Sequence, residues 1–171
     1  MKFPLLCALV LTFAACGESN YIAESTKTET KTTTAAGPEL KNGIKVKENG
    51  LKVSKAVLLR ADGTELDGDN KVAVGEEILC RLFISGWTVV DGRVKPGATQ
   101  AAQTADGTIV TDQPDLFAAV ESASPEDAGV ITINATVTES KDQVHDMTVT
   151  FRVWDKTSNA DVTGEYSFHL K

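Results

Sequence analysis

The sequence predicts an all-β domain, most economically two sheets packed face to face, and three observations carry that prediction. Over residues 41–171, apolar and polar side chains alternate in short runs of period two, the spacing of a half-buried strand. Turn dipeptides divide the runs: Asn42-Gly43, Asn49-Gly50, Asp62-Gly63, Asp91-Gly92 and Asp106-Gly107. The helical period of 3.6 is nowhere sustained over three turns. A domain of this kind holds about seven to nine strands.

Taken in order, Ile44 and Val46 lie between two Asn-Gly pairs, the strongest short hairpin signal. Residues 52–59 read as a strand that ends at Asp62-Gly63. Residues 71–74 lead through Gly75 into 77–85, which is apolar on both faces, as a central strand requires. Residues 87–90 and 93–94 flank Asp91-Gly92 as short strands, with Trp87 placed in the core. Residues 107–111 and 116–120 are short and bounded by Asp106-Gly107, Pro114 and Ser122, which marks them as edges. Ser124-Pro125-Glu126-Asp127 combines a capping serine, a proline at the first helical position and acids behind it, enough for one helical turn. Three alternating runs complete the set. Residues 130–138 place Ile131, Ile133, Ala135 and Val137 on one face; 147–154 place Met147, Val149, Phe151 and Val153; 165–170 place Tyr166, Phe168 and Leu170.

The N-terminus is organised differently. Lys2 precedes an apolar run from Phe3 to Ala15, too short to span a membrane as a helix. Ala14 and Ala15 then precede Cys16, after which the chain turns polar at once. This resembles the lipobox of bacterial lipoproteins, with Phe13 where leucine is commoner, the looser form of Bacteroidetes-type lipoproteins. The resemblance implies a signal peptide over residues 1–15, cleavage before Cys16, and a membrane anchor of diacylglycerol and acyl lipid (palmitate) on Cys16. Gly17 stands where aspartate would retain the protein at the inner membrane, so the implied address is the outer membrane of the cell envelope. The competing reading is an ordinary signal peptide in which Cys16 is incidental.

Removing residues 1–15 leaves 156 residues, enough for one domain and a tail. The full chain carries a net charge of −7, and losing Lys2 makes it −8. An acidic surface argues against nucleic acid and against docking on anionic lipid, both of which want basic patches. Residues 16–40 are rich in Thr, Lys, Glu and Ser and read as a disordered tether, spanning roughly 25–30 Å as a flexible coil. A Thr-rich glycosylation stalk is the alternative. Of the three cysteines, Cys7 leaves with the leader and Cys80 has no partner for an internal disulfide. Cys80 sits among apolar neighbours and reads as a buried thiol. The only histidines, His145 and His169, read as solvent-facing strand residues.

The segment MTVTFRVWDKTSN followed by TGEYSFHL resembles the last two strands of bacterial immunoglobulin-like domains of the cadherin and PKD type. In those domains an alternating strand ends near an Asp, a loop with Asn or Gly follows, and a second alternating strand closes the fold. Asp155, Asn159 and the strand through Leu170 take those places. The resemblance covers residues 51–171 in pattern and implies an immunoglobulin-like Greek-key β-sandwich used for spacing or binding. A second parse sets SPEDAGVITINATV at the corner before the sixth strand of true immunoglobulin domains, with Ile131 and Ile133 where tyrosine and cysteine belong.

No catalytic constellation is legible. Ser85, Ser122 and Ser124 have no histidine near in sequence, and no nucleophile elbow, paired-histidine zinc motif or phosphate loop appears. Asp112 with Asp115, or Glu126 with Asp127, form carboxylate pairs whose turn context reads as capping. Calcium suits the loop RADGTELDGDNK, where Asp62, Glu65, Asp67, Asp69 and Asn70 cluster, though Val72 replaces the glycine an EF-hand needs. Asp155, Asn159 and Asp161 form a second acidic set. Trp154 falls opposite Phe151 and Val153, either exposed as a partner or glycan contact or packed beneath a loop. The expectation is therefore a non-catalytic envelope lipoprotein that presents a sandwich to an envelope protein or ligand. A calcium-dependent adhesin or glycan-binding module is the alternative, and an envelope hydrolase a remote third.

Overall fold

The computed structural model describes residues 37–137 and 145–171. Ten strands occupy them: β1 (Glu39–Leu40), β2 (Lys45–Asn49), β3 (Lys52–Arg60), β4 (Lys71–Val72), β5 (Glu77–Ser85), β6 (Pro96–Thr104), β7 (Ile109–Gln113), β8 (Val130–Thr136), β9 (Asp146–Asp155) and β10 (Asp161–Leu170). One sheet has the order β1-β3-β5-β8; the other runs β2-β10-β9-β6-β7, with β4 also on β10. β1 on β3 and β4 on β10 are parallel, and every other pairing is antiparallel.

The order makes the fold immunoglobulin-like. β5 and β8 are neighbours in one sheet while β6 and β9 are neighbours in the other, so two interlocked pairs cross the sandwich as a Greek key does. In immunoglobulin lettering β3, β5 and β8 hold places A, B and E; β10, β9, β6 and β7 hold G, F, C and C′. β9 and β10 are thus the last two strands, as the first parse has it. The corner at SPEDAG leads into E rather than F. β1, β2 and β4 are short additions, which is why the strand total exceeds the expected range.

The core lies between the inner faces. Leu58, Leu82 and Ile133 from one sheet meet Val149, Val153, Tyr166 and Phe168 from the other, all buried. Each large side chain so placed contributes on the order of 1.5–3 kcal/mol. β5 is the central strand expected, lying between β3 and β8, and Cys80 on it is fully buried. Burial pushes that thiol up to about 12, which leaves it uncharged and inert.

Several segments depart from expectation. Residues 87–94 form a tight loop: Val90 bridges Arg93 around Asp91-Gly92, whose φ values of 51° and 73° are those of a primed turn. Trp87 there is half-buried and packs against the core as expected, its indole N–H donating to the Ala128 carbonyl at 3.1 Å. Residues 116–120 are turns rather than a strand. The strand that replaces them is β6, PGATQAAQT, poor in β-formers but held on both sides by β9 and β7. The Asn-Gly pairs do not close hairpins. Each carries the chain from one sheet to the other, β1 to β2 and β2 to β3. β1 also sets Glu39 and Leu40, expected in the tether, against β3. The helical turn is a single 3-10 turn, Asp127–Gly129, and the Ser124 hydroxyl accepts the Asp127 N–H at 3.0 Å.

Candidate functional site

Asp155 is the most engaged polar residue at the end of β9. It is 1% exposed, with no cation paired to it among the described residues. Its carboxylate accepts the Thr88 N–H (2.9 Å), the Thr157 N–H (2.9 Å) and hydroxyl (2.6 Å), and the Ser158 hydroxyl (2.9 Å). Burial opposes ionisation, but the hydrogen bonds from Thr157 and Thr88 outweigh it and hold the carboxyl well below the usual range. Asp155 therefore ties the loop after β5 to the loop after β9. Asp161, of the same expected set, instead accepts from Asn49 Nδ2 at 2.9 Å and Arg152 Nε at 2.7 Å.

The expected calcium residues are not gathered into one cradle. Asp62 accepts the Thr64 N–H and hydroxyl, a local turn cap. Glu65 pairs with Lys41 at 2.8 Å, Asp69 with Lys71 at 3.0 Å, and exposed Asp67 lies 3.7 Å from Arg60. Asn70 does something the sequence did not suggest. Buried at φ 50°, it donates its amide to the Asn42 and Ser167 carbonyls, at 2.8 and 2.9 Å, and accepts from Asn42 Nδ2. The amide thus caps the edge of β10 in the gap between β2 and β4, where a hollow of about 440 Å³ opens. Among the described residues, no three His, Cys, Asp or Glu side chains converge as metal ligands.

The carboxylate pairs are likewise separated in use. Asp115 accepts the Phe117 N–H (2.9 Å) and pairs with Lys156 (2.9 Å), fixing the turn after β7. Asp112 stands exposed on β7. Asp127 accepts the Ser124 hydroxyl at 2.6 Å. Trp154 is half-buried and lies flat on β6. A methyl at Gly97 would fall 2.3 Å from its ring, and the Arg152 guanidinium sits 5.4 Å from the ring centroid. Its ring is thus already engaged by the sheet and by Arg152.

A trough lies on the outer face of the six-stranded sheet, across β2, β10, β9, β6 and β7. The register sets Lys47, Thr163, Arg152 and Thr99 in one row across the strands, and Lys45, Glu165, Thr150, Ala101 and Asp112 in the next. Short Thr and Ala side chains floor it, longer charged ones stand at its sides, and it encloses about 520 Å³. Lys45 pairs with Glu165 at 2.9 Å and Arg152 with Asp161. Lys47 and Asp112, on opposite rims, make no ion pair among the described residues. Hydroxyls and charges of both signs on a rigid sheet suit a polar ligand or a protein surface. The outward direction of Thr150 and Arg152 was readable from the alternation of β9, but not the strands that complete the trough.

Cys16 lies outside the described residues, and no described helix is long and apolar enough to cross a membrane. No protein-family model and no curated protein matches the chain. Among solved structures it is similar to the C-terminal domain of wzt, at 15% identity and a TM-score of 0.48, over 78% of this chain and 81% of that one. It is also similar to an immunoglobulin-like protein from Pseudomonas aeruginosa, at 15% identity and a TM-score of 0.35, over 74% and 97%. At that level of likeness the strand order itself carries the fold assignment.

Proposed function

We propose that this chain is a non-catalytic lipoprotein of the cell envelope, lipid-anchored through Cys16, whose sandwich binds a protein or polar ligand through the outer face of β2-β10-β9-β6-β7. The observation that carries the reading is the trough, where residues from five strands converge on one open, hydroxyl-floored surface. Binding surfaces are commonly concave, with a few polar groups fixed by a rigid scaffold. Asp115, Asp127, Asp155 and Asp161 are engaged in turn caps, loop ties and ion pairs, which supports binding over chemistry. The lipobox supports the anchor and the outer-membrane address. Acyl chains on one cysteine give stable attachment without any basic patch on the domain.

The test is site-specific photo-crosslinking in the native envelope, from a residue replacing Thr150 on the trough floor or Ser54 on the other sheet. A discrete adduct from position 150 and none from 54 is expected. No adduct from position 150, or equal adducts from both, contradicts the reading.

A further inference from the structure

The two flanks of the sandwich are finished differently. On one, β1 covers β3, while β2 and β4 cover β10, and the Asn70 amide caps the Ser167 carbonyl between them. On the other, β7 and β8 are the terminal strands of their sheets, and among the described residues nothing pairs with either outer edge. The Gln100 amide joins these two edges, donating to Gln113 Oε1 at 3.0 Å and to the Asn134 carbonyl at 2.8 Å.

The bare flank is also distinct in charge. From residue 96 to 137 the chain has six carboxylates, Asp106, Asp112, Asp115, Glu121, Glu126 and Asp127, and neither lysine nor arginine. Lys156 reaches in to Asp115 and Arg93 to Ser122, which leaves the others without a cation among the described residues. Within the same stretch Ile109, Val110, Val130 and Val120 are 65%, 53%, 43% and 36% exposed, most of the large apolar side chains the domain leaves in water. All five residues of β7 are exposed on both faces. A bare edge of this kind is a template for another strand.

We propose that the outer edge of β7 receives an extended, lysine- or arginine-bearing segment of a partner protein as an added strand. The inference rests on the reading of the domain as a binding module and names one of its docking edges. Backbone pairing along β7 supplies the affinity, and alternate side chains supply the choice of partner. Cationic groups would lie beside Asp112 and apolar ones on Ile109 and Val110. A second copy is the wrong occupant, because pairing β7 with itself sets two stretches, each with six carboxylates and no lysine or arginine of its own, against each other. The register shift between β6 and β7 at Val110 is a further obstacle to self-pairing.

The experiment uses the mature chain and a short synthetic peptide of alternating lysine and valine, followed by backbone-amide NMR. Expected are shift changes and slowed hydrogen exchange centred on Ile109–Gln113, binding weakened about tenfold by Asp112→Lys, and a smaller loss with Asp112→Asn. The same peptide with glutamate for lysine should not bind. Shifts centred on Thr150 and Thr163 would overturn the edge assignment while leaving the binding module standing. Absence of binding, indifference to Asp112→Lys, or a β7-mediated dimer in sedimentation would also overturn it. Crosslinking from position 150 judges the module separately.

Discussion

Asp155 shows how far one side chain can govern a pole of the molecule. Four donors converge on its carboxylate and come from two loops, so its loss frees both. Asp155→Asn keeps the size but replaces a charged acceptor, and should cost about 1.5–3 kcal/mol at neutral pH. The folded carboxyl titrates below the unfolded one, so in acid the unfolded chain takes up the proton first. Its contribution is whole above about pH 4 and is lost as the pH falls further toward the folded value. Melting curves of wild type and Asp155→Asn should therefore lie far apart at neutral pH and converge below about pH 4. Asp115, Asp161 and Glu48 are depressed as well, so the difference between the two proteins, not the wild-type slope, isolates Asp155. A constant gap at every pH would contradict this account. None of this was legible in the sequence, where Asp155 stood in a loop beside Asn159 and read as a turn residue or ion ligand.

At the scale of elements, close approach of strands decides where side chains are forbidden. A methyl at Gly164 on β10 would fall 2.3 Å from Phe151 Cζ and 2.6 Å from the Lys45 carbonyl oxygen, and a backbone carbonyl cannot swing aside. Gly164→Ala should cost about 1–3 kcal/mol in urea denaturation. Gly68→Ala, with open space around it, should be near neutral. Equal effects would mean the β2-β10-β9 packing is looser than described. β9 was legible because it alternates without interruption over its length, and β10 from residue 165 onward, where Tyr166, Phe168 and Leu170 are the buried ones. Residues 161–164 were not, because Gly164 breaks the apolar alternation. β6 was not, because alanine, glutamine, glycine and proline carry no strand preference, and its two neighbours impose the strand. Residues 87–90 misled in the opposite direction. Val89 and Val90 look like strand residues, yet Thr88 is tied to Asp155 and Trp87 to Ala128, which fixes a loop instead. Asn42-Gly43 has hairpin chemistry but the chain uses it to change sheets.

At the scale of the whole molecule, residues 1–36 lie outside the described residues, while the sandwich was readable from composition and alternation over residues 41–171. The trough and the bare flank were not, since each joins residues far apart in sequence whose meeting depends on strand order. A Greek key puts β7 and β8 at one flank, and no local pattern announces that. The account as a whole holds that this sandwich works while fastened to a membrane through one cysteine. Intact-mass analysis of the protein extracted from its native envelope, beside a Cys16→Ala chain, tests that most directly. The account predicts a mature chain that begins at Cys16 and carries diacylglycerol, and a Cys16→Ala chain left soluble or unprocessed. A mature chain that starts elsewhere and carries no lipid would contradict it.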